Sequence, residues 1–364
     1  MKKRKKYIIP IFVPQQGCRF QCIYCNQYAI TGVHSDAFSE AKKVLEQAVL
    51  NVPKNMDIEV AFYGGTFTAM EEKLQKELLE LTRSYKEILN ITAVRLSTRP
   101  DFIDSHILDM LASYDVTAIE LGAQSMNDEV LRMSGRGHLS SDVENAACLI
   151  KEHGFQLGVQ LMIGLPGDEF AKDIESAFRT IELGADFVRI YPTLVIKDTP
   201  LERLYLNGKY KPLSLCEAVD ICSEMLCIYN VYKIPVIRIG LQPSDDIQLG
   251  RDVLAGPFHP AFGELVKSKL YLKAVEHFFM HAEFAGSQVL NLYANPREIS
   301  IIVGQKRSNL AALEKLGILK TNIISSCDVE AGNIVVENER CRYNLNIKDY
   351  CCNRFEELYG RNVS

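Results

Sequence analysis

Cys18, Cys22 and Cys25 stand in the run Gly17-Cys18-Arg19-Phe20-Gln21-Cys22-Ile23-Tyr24-Cys25-Asn26, directly after a short apolar segment from Tyr7 to Val13. Three thiolates within eight residues can converge on one iron–sulfur cluster, and a four-iron cubane held by three of them leaves one iron without a protein ligand. That iron is open to a second molecule. A zinc knuckle completed from a distance, for instance by His34, is the alternative for a CxxC pair. No second CxxC half follows, and Tyr24, before the last cysteine, is an aromatic placed to lean over a planar ligand at the open iron.

The elements around these cysteines must hold them at the edge of a scaffold. From Tyr7 to about Val195, short β-branched runs alternate with amphipathic stretches, the pattern of a parallel sheet with helices outside. Strands are expected at 7–13, 58–63, 93–97, 117–121, 157–163 and 187–191, and helices near 37–50, 70–89, 101–113, 140–153 and 169–183. Six βα repeats are too few for a closed eight-stranded barrel, so the predicted fold is α/β, a partial (βα)6 TIM-like barrel with a small C-terminal α+β unit. Domains are expected at 1–241 and 242–364. The second part holds a helix near 258–282 and strands near 288–293, 321–325 and 333–337, and a helix at 213–229 precedes the boundary.

In βα architectures ligands gather at the carboxyl ends of the strands. Polar or small residues follow five of the six strands here: the cysteines, Gly64-Gly65-Thr66, Ser97-Thr98-Arg99, Gly122-Ala123-Gln124-Ser125 and Gly164-Leu165-Pro166-Gly167. Gly64, Gly65 and Thr66 leave a backbone edge bare for a polar ligand, Gln124 offers an amide that donates and accepts, and Arg136 offers a fork for a carboxylate. His138 and His259 are candidate acid–base groups. His259 is equally suited to capping a helix, and Tyr191 either reaches the cavity or packs in the core.

Composition narrows the class. With 364 residues and 47% hydrophobic side chains the chain can fill a large core, and a net charge of -5 argues against wholesale nucleic-acid binding. The run Lys2-Lys3-Arg4-Lys5-Lys6 either steers a polyanion or is a solvated tail. The apolar run after it is too short, and interrupted by Pro10, to be a signal peptide, and no stretch approaches a membrane span. Eleven cysteines point to a reducing, cytoplasmic compartment. Cys148, Cys216, Cys222 and Cys227 read as small core residues on helices. Cys327, Cys341, Cys351 and Cys352 permit a second metal site, although their spacing fits no known pattern. The turn Gly304-Gln305-Lys306-Arg307 faintly resembles the GxxG loop of KH RNA-binding domains, but Arg307 stands where the second glycine belongs, and a helix N-terminus with solvated charges is the competing reading.

The cysteine run resembles the cluster motif of the radical S-adenosylmethionine (SAM) superfamily. From Tyr7 to about Tyr210 the chain is similar to the radical SAM half of the Elongator catalytic subunit, through Tyr63-Gly64-Gly65-Thr66-Phe67, Ser97-Thr98-Arg99-Pro100-Asp101, Glu120-Leu121-Gly122-Ala123-Gln124-Ser125, Arg136-Gly137-His138 and Tyr191-Pro192-Thr193-Leu194-Val195-Ile196. The resemblance implies a [4Fe-4S] cluster on Cys18, Cys22 and Cys25, with SAM held by Tyr24, Gly64, Gly65, Thr66, Ser97, Gln124 and Arg136, and by Gln160 on the fifth strand. It implies reductive cleavage of SAM to a 5′-deoxyadenosyl radical that abstracts hydrogen from an unidentified substrate, with an electron donor such as flavodoxin or ferredoxin. RNA, tRNA in particular, is the alternative substrate, and a non-catalytic RNA-binding or redox-sensing iron–sulfur protein the alternative class. Two features depart from Elongator subunits: their first two cysteines are spaced more widely, and they continue into an acetyltransferase domain for which this sequence has no room.

Overall fold

The computed structural model describes residues 6–13, 22–26, 36–53, 55–241, 248–281 and 289–360. Cys18, His34 and the basic run Lys2 to Lys5 lie outside the described residues. The described residues form two compact units, the first from Met1–Ser214 and Gln242–Phe258, the second from Leu215–Leu241 and His259–Ser364.

The first unit is a parallel sheet of β1 (Lys6–Val13), β2 (Asp57–Gly64), β3 (Ile91–Thr98), β4 (Val116–Gln124), β5 (Gln156–Ile163) and β6 (Phe187–Pro192), paired in sequence order. The crossovers carry α1 (Ala37–Asn51), α2 (Glu72–Ser84), α3 (Ser105–Ser113), α4 (Asp128–Met133), α5 (Ser140–Glu152) and α6 (Phe170–Glu182). All six expected strands and five expected helices are present within a few residues of their expected bounds. The six-residue α4 was not foreseen, because a run that short carries no helical period. Alternate strand residues, Ile9 and Ile11, Ile58, Val60 and Phe62, Leu157 and Val159, Val188 and Ile190, are buried beneath the helices. α1 meets them with Ala37, Ala41, Leu45 and Ala48 on one stripe, and Asp36 caps its start by accepting from the amides of Phe38 and Ser39.

The other strand face is polar, and it shows that the sheet curls. Adjacent strands lie about 4.8 Å apart, so β2 and β6 would be about 19 Å apart in a flat sheet. Yet the Arg189 guanidinium on β6 sits 4.6 Å from the centre of the Tyr63 ring on β2 and donates to its hydroxyl, and Arg95 on β3 lies 4.9 Å from the Phe187 ring on β6. Between them runs a buried network. Arg95 bonds Glu59 and donates to Glu120 at 2.9 Å, while Arg189 is ion-paired to Glu120 at 3.1 Å and donates to the Tyr191 hydroxyl at 3.1 Å. Two guanidiniums answer two carboxylates, which is the condition for burying them at all. Gly158 must be a glycine here, since a Cβ would stand 2.3 Å from the Phe187 ring.

In the second unit, helices α8 (Leu215–Val231), α9 (Phe262–His281) and α12 (Ile347–Tyr359) accompany a sheet of order β11-β10-β12-β13; α7 (Pro200–Leu206) belongs to the first unit, as does a short pairing of β7 (Val195–Ile196) with β9 (Val253–Ala255). The sheet strands are β10 (Val289–Ala294), parallel to β11 (Lys320–Ser325), with β12 (Asn333–Glu337) and β13 (Arg342–Asn346) antiparallel; β8 is Val236–Ile239. α8 and β8 thus pack with the C-terminal residues although they precede position 242. Buried Glu224 on α8 anchors α12 through Arg354 at 3.0 Å and α9 through Lys273 at 3.7 Å. Cys222 and Cys227 are buried as expected, but Cys148 and Cys216 are exposed, on the outer sides of their helices. Cys327 is exposed while Cys351 is buried, and among the described residues no group of three metal-ligating side chains converges. Lys306 and Arg307 are exposed in left-handed conformations between α10 (Ile299–Val303) and α11 (Ser308–Lys315).

One carboxyl pair in the first unit is held in a shared-proton state. Burial, then the charge of Asp168, drives the Asp173 carboxyl well above its usual range, and Asp168 in turn accepts from the amides of Gly164 and Glu169. Asp173 therefore keeps a proton that the unfolded chain releases near pH 4. This stabilisation is complete below that pH and is lost as pH rises through the elevated folded value. Asp173→Asn, which stays neutral, should gain in melting temperature over the parent between pH 5 and pH 8.5; a difference that does not change with pH would refute the shared proton. Glu120→Ala should cost about 3–5 kcal/mol in urea unfolding, because two buried guanidiniums lose a common partner, whereas a loss under about 1 kcal/mol, the scale of an exposed pair, would show that the network bears no load.

Candidate functional site

Cys22 and Cys25, the described cysteines of the motif, lie on one tight turn. The Cys25 amide donates to the Cys22 carbonyl at 3.1 Å, and the turn is pinned on both sides: the Ile23 amide donates to Ser134 O at 3.2 Å, and the Ile23 carbonyl accepts from Leu201 N at 2.8 Å. Beneath it, Cys22 and Tyr24 pack with Val130, Leu165, Val195, Leu201 and Tyr210. An apolar seat and three backbone bonds thus hold the two thiols near the strand ends.

Arg136 is the hub. Buried at 5% exposure, it donates from Nη1 to Cys22 Sγ at 3.1 Å, from Nη2 to the Gly122 carbonyl at 2.5 Å, and from Nε to His138 Nε2 at 3.2 Å. Arg99, itself clamped by both oxygens of Asp101, donates to the Arg136 carbonyl and fixes the loop from below. These contacts use three of the five N–H donors of the guanidinium, beside the Tyr24 hydroxyl. The guanidinium thus presents a positive charge directly to the sulfur of a motif cysteine.

Burial and the Arg136 charge press the His138 pKa down to about 4, so its ring is neutral at physiological pH. Its Nε2 accepts from Arg136, which assigns the proton to Nδ1, 3.2 Å from the Leu139 carbonyl. His138 is therefore a prop for Arg136 and not an acid–base group. His259 is likewise structural, its Nδ1 accepting from the Ala261 amide just before α9.

The strand-end residues fall into three groups. Gln124 stands at a register shift: Leu121 pairs with Val159 and Gln124 with Leu161, so β4 advances three residues against two. This bulge, with Gln124 at φ 68°, turns its amide to meet Gln160, whose Nε2 donates to Gln124 Oε1 at 3.4 Å. Gly122, inside the bulge, leaves a cradle, because a Cβ there would lie 3.0 Å from Gln124 Nε2 and 3.5 Å from Arg136 Nη2. Gly64, at φ 103°, ends β2, and Thr66 beyond Gly65 is buried with its carbonyl accepting from Ala69 N. Ser97 is turned into the floor, donating to Glu120 at 3.4 Å.

Cys22, Tyr24, Gly122 and Arg136 are thus brought into contact, Gln124 and Gln160 form a second pair, and Ser97 belongs to the inner-face network. That network of Glu59, Arg95, Glu120 and Arg189 was missed from sequence. Its signal was present as single charges at alternate positions inside otherwise apolar strands. Tyr191 joins it as a half-buried hydroxyl, and Tyr63, raised to about 12 by burial and then by Glu120, stays protonated.

The residues suit the cofactors that the cysteine motif implies. Thiols on a tight turn beside a guanidinium, a side-chain-free cradle at Gly122, and the buried Tyr24 hydroxyl, which has no well-aligned hydrogen-bond partner among the described residues, are the donor set and the polar position that an iron–sulfur cluster with a zwitterionic ligand would use.

Comparison with known proteins agrees. Residues 12–181 match the Radical SAM superfamily profile and residues 185–271 the Radical_SAM C-terminal domain. A tRNA uridine(34) acetyltransferase of Dehalococcoides mccartyi is 29% identical over 69% of this chain and 65% of its own length. Elongator complex protein 3 of Drosophila melanogaster is 31% identical over 57% of this chain and 43% of its own. The chain therefore spans less than two thirds of these relatives, whereas it covers 82% of an uncharacterized protein of Methanocaldococcus jannaschii at 29% identity. In fold, the archaeal Elp3 of Methanocaldococcus infernus superposes with a TM-score of 0.59 over 74% of this chain and 63% of that one, at 24% identity. A cysteine turn seated at the carboxyl edge of a partial barrel, read together with two matched domains, means that the chain belongs to the radical SAM superfamily of enzymes and has relatives among the Elongator Elp3 proteins.

Proposed function

We propose that this chain binds a [4Fe-4S] cluster through Cys18, Cys22 and Cys25 and acts on a substrate held against the inner face of the partial barrel. The observation that carries the reading is the Arg136 guanidinium 3.1 Å from Cys22 Sγ, at the edge where Gly122 leaves room. When bound, the cluster and SAM supply one-electron reductive cleavage of SAM and hydrogen abstraction by the resulting 5′-deoxyadenosyl radical. The chain's own part is to bind and orient. Tyr24, Gly64, Gly65, Thr66, Gln124, Arg136 and Gln160 would hold SAM, Arg136 serving both Cys22 and ligand. Abstraction of hydrogen needs no side-chain base, which suits a site where His138 is neutral and tied to Arg136.

An electron donor such as flavodoxin or ferredoxin is required by that chemistry. The cytoplasm is the location that the eleven cysteines of the sequence support, and no described helix is long and apolar enough to cross a membrane. RNA is the second reading for the substrate, supported by relatives named as tRNA uridine(34) acetyltransferases.

Anaerobic reconstitution should load about four irons per chain, and alanine at any of Cys18, Cys22 or Cys25 should abolish it; stoichiometric zinc in place of iron would sink the assignment. Arg136→Ala should weaken SAM binding by about 1.5–3 kcal/mol in anaerobic calorimetry, the loss of a charge-assisted bond, and Arg136→Lys should not restore it because lysine has no fork. Wild-type SAM affinity in the alanine variant would take Arg136 out of the site. Deuterium transfer from candidate substrates into 5′-deoxyadenosine, followed by mass spectrometry, identifies the molecule acted on.

A further inference from the structure

Leu165 and Tyr210, which pack beneath the Cys22–Cys25 turn, also border a cavity of 240 Å³ on the outer side of the loop that follows β5. Gly164, Gly167, Asp168, Tyr210, Lys209 and Lys211 line it. The proposed reaction makes no use of this space.

Many surface lysines of the first unit meet carboxylates, such as Lys76 with Glu72, Lys86 with Asp115 and Lys151 with Asp186. Lys209 and Lys211 are exposed, and neither ammonium has an ion-pair or hydrogen-bond partner among the described residues. Between them Tyr210 is buried and its hydroxyl donates to the Gly164 carbonyl at 2.6 Å, so both lysines hang from a fixed backbone at the cavity wall.

Two carbonyls of the wall are engaged by neighbouring side chains. The Gly164 carbonyl is taken by Tyr210, and the Gly167 carbonyl by Lys172 Nζ at 2.7 Å, which also pairs with Glu129 at 2.9 Å. Asp168, the one carboxylate in the lining, is engaged by the amides of Gly164 and Glu169, and among the described residues no ion pair joins it to Lys209 or Lys211. What remains is a concave surface with two uncommitted cations, and strong acceptors of charge-assisted bonds are its natural complement.

We propose that the Lys209–Lys211 cavity binds a phosphate group of the molecule on which the enzyme acts, supplied either by a phosphorylated small molecule or by the backbone of a nucleic acid. Binding there is independent of the cluster and of SAM, so it is read without turnover.

The test uses the full chain with three probes: inorganic pyrophosphate and ribose 5-phosphate by calorimetry, and a fluorescently labelled bulk tRNA pool by anisotropy, each at low salt. At least one probe should bind the parent, and Lys209→Gln/Lys211→Gln should weaken it at least tenfold. Lys209→Arg/Lys211→Arg should retain binding, and so should the charge-matched control Lys43→Gln/Lys348→Gln, with unchanged thermal melts showing that all variants fold. Loss confined to tRNA assigns the nucleic-acid backbone as the source, with the salt slope falling by about 1.4 at about 0.7 per lost contact; loss with the small probes assigns a phosphorylated metabolite. Failure of all three probes to bind the parent, or equal affinity of the glutamine pair and the control, overturns the proposal. Iron and SAM binding, measured on the same preparations, stand or fall separately.

Discussion

Arg189 on the sixth strand holds Tyr63 on the second, across a span that a flat sheet would make about 19 Å. That reach is possible only because the sheet curls, and the curl is what turns six strand ends into one concave rim. Glu120 stands midway, bound by Arg95 on one side and Arg189 on the other. Charges of this kind are costly to bury singly and tolerable when each is answered, so the four of them specify the strand register as well as the curvature. A one-residue slip in any of the strands would send its charge under the helices.

On that rim, a second constraint places the chemistry. The turn carrying Cys22 and Cys25 has no regular secondary structure, yet it is fixed by backbone bonds to Ser134 and Leu201 and by packing on Leu165 and Tyr210. Arg136 then ties the turn to β4 through Gly122. Its conformation depends in turn on Arg99 and on a histidine kept neutral by burial and by the same guanidinium. Arg136 thus couples a thiol, a strand end and a supporting loop, which explains why its position follows strand four and not the cysteines themselves.

The two buried polar systems divide the work. The inner-face network is charge-neutral, so it leaves the floor of the barrel shaped by hydroxyls and amides from Tyr63, Tyr191 and Gln160, and not by a net field. Uncompensated positive charge lies outside, at Lys209 and Lys211, where the chain returns beneath the cysteine turn. A substrate with a neutral reacting part and an anionic handle is the kind of molecule that such a division suits.

The alternation of apolar runs with 3.6-residue periodicity was enough to locate six strands and their main helices, because each period reports directly which face is buried. The cysteine spacing likewise identified the superfamily, since ligand convergence within eight residues is a local property of the chain. Contacts between elements distant in sequence were not legible. Nothing local distinguishes Arg189 from any other half-buried arginine until the curl brings it to Tyr63, 126 positions away. The same holds for His138, whose role as a prop and not an acid–base group follows from burial beside Arg136, and for α8, which precedes the expected boundary but packs with the C-terminal residues. Periodicity and motif spacing are local and so are written in order along the chain, whereas charge pairing, protonation and unit membership are set by which strands and helices meet, and only the folded structure decides that.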